Sequence, residues 1–318
     1  MRPQLTLGHI REAHARIRPY VHRTPVLTSG SLDALCGARA HFKCENFQRA
    51  GAFKARGAHN AVFSLGDDEA SRGVVTHSSG NHGAAVALAA RNRGISAFIV
   101  MPRNAAQPKI RAVERYGGRV IFCEPTQASR EQTAERVRGE TGACFIHPYD
   151  DLRVIAGQGT TALELIEDVP ELEVIVCPVG GGGQLSGVAF AAKSLRPGID
   201  VMGAEPAAAD DAARSFHAGR LIRGPDPLTI ADGLRSASLG ELPYALIREH
   251  VTDILTASEA AIVQAMRLAW EVLKIVIEPS SAVAVAVLLA GGPLAGRNVG
   301  VILSGGNVDL DRLPWHAA

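Results

Sequence analysis

Apolar runs of strand length alternate with helix-patterned segments along most of this chain, and that alternation restricts it to a parallel α/β architecture. Strands are expected at residues 73–76, 97–101 and 119–123, with helices at 84–93, 108–116 and 129–141 between and after them. A second series has strands near Val174, Val201 and Val299, separated by helices starting at Gly157, Gln184, Ser258 and Ser280. Parallel neighbours need long crossovers, and helices at this spacing supply them. Two layered α/β units result. The longest apolar stretch, 282–290, is too short to span a bilayer and follows the helix-start sequence Glu278-Pro279-Ser280-Ser281, so it reads as a buried helix.

Within that frame, Gly180-Gly181-Gly182-Gly183 stands between the apolar run Val174 to Val179 and the helical pattern Gln184 to Leu195. Glycines at a strand-to-helix junction let the backbone approach closely and aim N–H groups at an anion, and the helix start adds favourable partial charge. No Gly-Lys-Ser/Thr follows, as a P-loop would require, and no GxGxxG with a ribose-binding acid opens an early βαβ unit. Phosphate binding of another kind remains.

Three more segments carry chemistry. Lys54, in Gln48-Arg49-Ala50-Gly51-Ala52-Phe53-Lys54-Ala55-Arg56-Gly57, sits among small, mostly uncharged neighbours, where an amine loses its proton cheaply and attacks an aldehyde. The plain alternative is a surface lysine at a helix start. Ser78-Ser79-Gly80-Asn81-His82-Gly83 offers hydroxyls, an amide and glycines before a helix, suited to a carboxylate or to N-capping by Ser79 or Asn81. Ser304-Gly305-Gly306-Asn307 closes the last apolar run.

Together these motifs resemble the type II pyridoxal-phosphate (PLP) enzymes, the group of serine and threonine dehydratases and serine racemase, from about Arg11 to Asp309. The resemblance implies a tryptophan-synthase-β-like fold of two open twisted parallel sheets. Residues 1–68 and 147–318 would form the large PLP-binding domain, and 69–146 a small inserted one. Lys54 would carry the cofactor as a Schiff base and act as general base, beside Phe53. Gly180, Gly181, Gly182 and Gly183 would hold the phosphate, Asn81 would touch the ring hydroxyl, Ser304 would meet the pyridine nitrogen, and Glu278 would line the cofactor. A serine at that nitrogen favours β-elimination over transamination. Ser78, Ser79, Asn81 and His82 would clamp the substrate α-carboxylate, with Arg130 and Ser236 completing the substrate site. Ser79 also matches the second acid/base that a racemase needs. The segment Glu205 to Asp211 resembles a divalent-cation loop for Mg²⁺, Ca²⁺ or Mn²⁺, with Glu205, the Ala209 carbonyl and Asp211 as ligands. The plain alternative is capping of the following helix by Asp210 or Asp211. A homodimer is implied.

The expected activity is therefore a PLP-dependent ammonia-lyase on a small β-hydroxy amino acid, serine or threonine first. Serine racemase and 3-hydroxyaspartate ammonia-lyase are the alternatives, because the Arg130 guanidinium suits a second carboxylate. Ala50 and Ala52 replace hydroxyl residues common in the family, which bears on pocket polarity. His147-Pro148-Tyr149-Asp150-Asp151 is closer to dehydratases than to racemases. A nucleotide-dependent oxidoreductase and a non-catalytic binding protein are the remote alternatives. With 33 basic and 32 acidic residues and no basic block among aromatics, nucleic acid is not an expected partner, nor is a membrane. Five scattered cysteines without a CxxC pair, and a charged N-terminus, point to the cytoplasm.

Overall fold

The computed structural model describes residues 4–78, 80–225 and 227–315. Its strands are β1 (Val26–Leu27), β2 (Arg39–Cys44), β3 (Val74–His77), β4 (Ala97–Pro102), β5 (Arg119–Cys123), β6 (Cys144–Phe145), β7 (Val174–Pro178), β8 (Asp200–Pro206), β9 (Asp253–Ala257) and β10 (Asn298–Leu303). Among the described residues they form a six-stranded sheet in the order β1-β2-β10-β7-β8-β9 and a four-stranded sheet in the order β5-β4-β3-β6. The pairs are parallel, as the alternation predicts, except for the short β1, which runs antiparallel to β2.

Parallel sheets are covered by helices on both faces, so their central strands are apolar throughout. Every residue of β7 is buried, as are those of β10 after Asn298. Helix Pro279–Leu289 packs against this sheet with Pro279 in its first turn, where a missing N–H costs nothing. It is buried from Ser280 through Leu288, as expected for a core helix.

This topology places three chain segments side by side. β2, β10 and β7 are adjacent and parallel, so the residues after them emerge at one edge: the segment to Lys54 after β2, Ser304 after β10 and Gly180 after β7. In the other sheet, the adjacent β3 and β6 deliver His77 with Ser78 and, just beyond, His147. Ligands in open α/β sheets collect at such carboxyl ends.

Glycines then set how closely the helices meet. Helix Lys54–Phe63 crosses helix Leu152–Asp168 at Gly57 and Gly157, where a Cβ on Gly157 would lie 2.6 Å from the Gly57 Cα and 2.7 Å from the Arg56 carbonyl oxygen. Helix Leu152–Asp168 also meets helix Gly183–Leu195 at Gly159 and Gly187, where a Cβ on Gly187 would lie 2.3 Å from the Ile155 carbonyl oxygen. One helix thus fixes the lysine segment and the glycine loop relative to each other, backbone against backbone.

Behind Lys54 lies a buried ion network. Arg56 donates from Nε and Nη2 to Glu45, each at 2.8 Å, and from Nη1 and Nη2 to Glu164 at 2.7 and 2.8 Å. Lys43 reaches Glu164 at 2.8 Å and donates to the Thr24 carbonyl at 2.7 Å. Two cations face Glu45 and Glu164, with the half-buried Asp168 3.6 Å from Lys43, so the burial cost is offset mainly by geometry and not by solvent. Burial alone would raise the Glu164 pKa; the hydrogen bonds and charge of Arg56, with Lys43, bring it down to about 2.

Candidate active site

Lys54 is the first residue of its helix, so its position as a helix-start lysine and as a cleft residue coincide. The segment before it is anchored to the end of β10: Phe53 N–H donates to the Ser304 carbonyl at 2.9 Å, and Ala52 bridges to Gly305. The Lys54 side chain stays partly open to the cleft, but protein surrounds its amine, which donates to the Pro148 carbonyl at 2.7 Å. That loss of solvent pulls its pKa down to about 8. Ala50, where the family commonly has a hydroxyl, takes a left-handed backbone (φ 57°), and its carbonyl accepts from Asn307 Nδ2 at 2.7 Å.

The glycine loop faces Lys54 across a cleft of about 1270 Å³. A Cβ on Gly181 would lie 2.3 Å from the Tyr149 ring, one on Gly183 2.9 Å from the Tyr149 Cα, and one on Gly182, itself at φ +90°, 2.7 Å from Pro243 Cβ. Helix Gly183–Leu195 begins with no side-chain cap, and Gln184 Nε2 is buried without a hydrogen-bond partner. A cradle with no room for side chains, ending in uncapped helix N–H groups and an orphaned amide donor, fits a phosphate. Beside a low-pKa lysine, these residues fit the pyridoxal phosphate that the motifs imply.

On the opposite wall, helix Asn81–Arg93 starts at Gly80 without a side-chain cap. The capping alternative at Asn81 is therefore corrected: its amide turns away from the helix end and donates to both oxygens of Glu278 at 2.9 and 3.1 Å, while its Oδ1 accepts from Asn307 at 3.0 Å. Ser79 lies outside the described residues. Ser78 lines the cleft, its hydroxyl accepting from Gly80 N–H at 3.2 Å. His82 is buried; its Nε2 meets the Ile146 carbonyl at 3.3 Å, which requires the proton there and leaves Nδ1 bare. Desolvation, with the Lys54 charge next, holds His82 well below its ordinary pKa. A carboxylate at this wall is thus offered backbone N–H groups and the Ser78 hydroxyl before any imidazolium.

Ser304 is 2% exposed and lines the cleft at the end of β10. Glu278 is equally enclosed, accepting from Asn81 and from Asn307 N–H at 3.1 Å. Burial, and then the nearby charge of Asp232, raise its pKa to about 7. Arg130, in the first turns of helix Gln127–Thr141, reaches the cleft with its Nε buried and unpartnered, and Ser236 lines the facing loop.

The structure thus brings Phe53, Lys54, Ser78, Asn81, His82, Arg130, Gly180 to Gly183, Ser236, Glu278 and Ser304 into one cleft. The cation candidates stand elsewhere. Both oxygens of Glu205 accept helix N–H groups, from Ala212 at 3.0 Å and Ala213 at 2.9 Å. The carboxylate capping helix Asp211–Ala218 is therefore Glu205, not Asp210 or Asp211; Asp210 pairs with Arg214 at 2.8 Å. Asp211 Oδ2 is buried without a partner, and Ala209, two residues before it, is buried as well. No cluster of three or more His, Cys, Asp or Glu ligands occurs among the described residues.

Sequence reasoning passed over His77, His147 and Tyr149 as site residues. His77 and His147 meet edge to face at 6.0 Å, and His147 and Tyr149 at 4.6 Å. His147 Nδ1 accepts from Asp150 N–H at 2.8 Å; burial, then the neighbouring His77, lowers its pKa to about 4. The His147 to Asp151 segment was noticeable in the sequence, but nothing there indicated that it would fold onto the glycine loop.

Residues 17–305 match the family described as pyridoxal-phosphate dependent enzyme. This chain belongs to that family, in its type II branch. Within it, the enzyme is 53% identical to a serine racemase of Oryza sativa subsp. indica over 97% of this chain and 92% of that protein. It is also 53% identical to a β-hydroxyaspartate dehydratase of Paracoccus denitrificans, over 96% of each chain. The solved structure of maize serine racemase superposes with a TM-score of 0.94 at 50% identity, covering 98% of this chain and 96% of that one. The PLP-dependent enzyme is thus of the ammonia-lyase and racemase type, and its fold is the type II fold the motifs imply.

Proposed function

We propose that this enzyme is a 3-hydroxyaspartate ammonia-lyase, converting the substrate to a 2-oxo dicarboxylic acid and ammonia. The observation that carries this reading is Arg130: its guanidinium lines the substrate cleft with a buried, unpartnered Nε. A buried donor without a partner is costly, and a second substrate carboxylate would satisfy it with a charge-assisted bond. Serine and threonine, the first expectation from sequence, leave it unmet. The name of the Paracoccus relative supports the same substrate.

When bound, pyridoxal phosphate supplies an electron sink for the bond breaking at the substrate Cα. Gly180 to Gly183 would hold its phosphate, with Ser304, Asn81, Phe53 and Glu278 around the ring. Lys54, with its pKa lowered to about 8, holds a substantial neutral population near physiological pH and can take the Cα proton as general base. Ser78 and the N–H groups opening helix Asn81–Arg93 would orient the α-carboxylate. Tyr149, packed on the glycine loop, and Pro148, whose carbonyl accepts from Lys54, restrict water and fix the amine. The test is 2-oxo acid release from stereoisomers of 3-hydroxyaspartate, serine and threonine. One 3-hydroxyaspartate isomer should show the highest kcat/KM; preference for threonine would refute the reading.

Serine racemisation is the second reading, favoured by the 53% identity to the rice enzyme. It would depend on Ser79 as the second acid/base, so Ser79→Ala should lose inversion while sparing much of the elimination. We place the division between domains at residues 68/69 and 146/147, and the enzyme in the cytoplasm as a homodimer. The five free cysteines support a reducing compartment. A Mg²⁺, Ca²⁺ or Mn²⁺ site at Glu205, Ala209 and Asp211 rests on the orphaned Asp211 oxygen. Chelation should then lower Tm in the parent but not in Asp211→Ala, because an ion bound only to the folded state stabilises it. Equal indifference of both would remove the site.

A further inference from the structure

We propose that His77 joins Arg130 in a subsite for the second carboxylate of the substrate, and that its imidazole takes up a proton from solvent as the dianion binds. This rests on the dicarboxylate reading above and adds a residue to it. His77 ends β3 beside Ser78 and is 8% exposed, yet it lines the same cleft wall as Arg130. Its ring packs 5.5 Å from the Phe145 ring and 6.0 Å from that of His147. Among the described residues no other side chain hydrogen-bonds it; its own backbone takes one ring nitrogen, which leaves the other to serve a ligand.

The charges around the ring favour a proton-coupled response. Burial, the largest effect, keeps the free imidazole neutral, and Arg130 works in the same direction, while Glu131 on the same helix opposes them. The other titratable neighbours, His147 after β6 and His82 on helix Asn81–Arg93, are themselves held neutral by burial. A carboxylate placed against Arg130 cancels the charge that repels a proton on His77 and adds one that attracts it. Glu131 then reinforces the imidazolium. The hydrogen of serine or the methyl of threonine, at the position of that carboxylate, does neither. A neutral His77 would therefore admit the small substrates without penalty, and a charged one would grip the dicarboxylate.

The test uses the cofactor-loaded enzyme and succinate, which carries both carboxylates of 3-hydroxyaspartate but neither amine nor hydroxyl. Calorimetry in two buffers of different ionisation enthalpy, above the ordinary histidine pKa, should give uptake of roughly one proton per succinate bound. In His77→Asn the uptake should vanish and Kd should rise by about tenfold or more, the loss of one charge-assisted bond. If the parent binds succinate without proton uptake and His77→Asn binds as tightly, the subsite role of His77 is overturned. In that case the dicarboxylate reading still stands, provided Arg130→Ala weakens binding. A parent that does not bind succinate refutes both.

Discussion

At the scale of single residues, Lys54 shows how an ordinary side chain is made reactive by where the chain puts it. Desolvation brings its pKa to about 8, so the neutral amine needed to attack an aldehyde becomes the majority form only above that pH. Uptake of pyridoxal phosphate by the cofactor-free protein should therefore accelerate with rising pH and level off above about 8. A rate independent of pH through this range would contradict the assignment. Lys54, the glycines and Ser304 were legible because each belongs to a local motif. The orientation of Asn81 was not: its partners Glu278 and Asn307 lie 197 and 226 residues away, and no local pattern encodes that meeting.

Among the secondary-structure elements, strands buried on both faces announce themselves as continuous apolar runs, which is why β7, β8 and β10 were anticipated. β2 was not, because Arg39-Ala40-His41-Phe42-Lys43-Cys44 carries a lysine that reads as surface and is in fact fully buried by its ion pair with Glu164. The same network gives helix Lys54–Phe63 its depth. Arg56→Met would leave Glu45 and Glu164 without their main counter-charge and should destabilise the protein by about 3–5 kcal/mol, measured by denaturant unfolding. A loss under about 1 kcal/mol would mean that Lys43 and solvent compensate. The helices begin at Asn81 and Gln127, three and two residues before the expected starts at 84 and 129, because polar first turns carry no hydrophobic period.

Taken as a whole molecule, the two sheets are tied together across the cleft by Asn81, Glu278 and Asn307 and by the ion pair of Lys109 with Asp232. The tie is pH-sensitive. Glu278 holds its proton up to about 7 when folded but ionises near its ordinary 4.5 when unfolded, so raising the pH through that window favours the unfolded chain. The loss should amount to at most about 3 kcal/mol, and Glu278→Gln, which cannot titrate, should flatten the profile of Tm against pH there. An unchanged slope would place the titration elsewhere. Substrate choice also belongs to this scale, because Arg130 on one side of the cleft faces Ser236 and the glycine loop on the other. The most direct measurement compares kcat/KM of the parent and Arg130→Ala on 3-hydroxyaspartate and on serine. A lost charge-assisted bond of about 1.5–3 kcal/mol predicts a fall of about tenfold to hundredfold for the dicarboxylate and a far smaller change for serine. Equal falls for both substrates, or none for 3-hydroxyaspartate, would contradict the account.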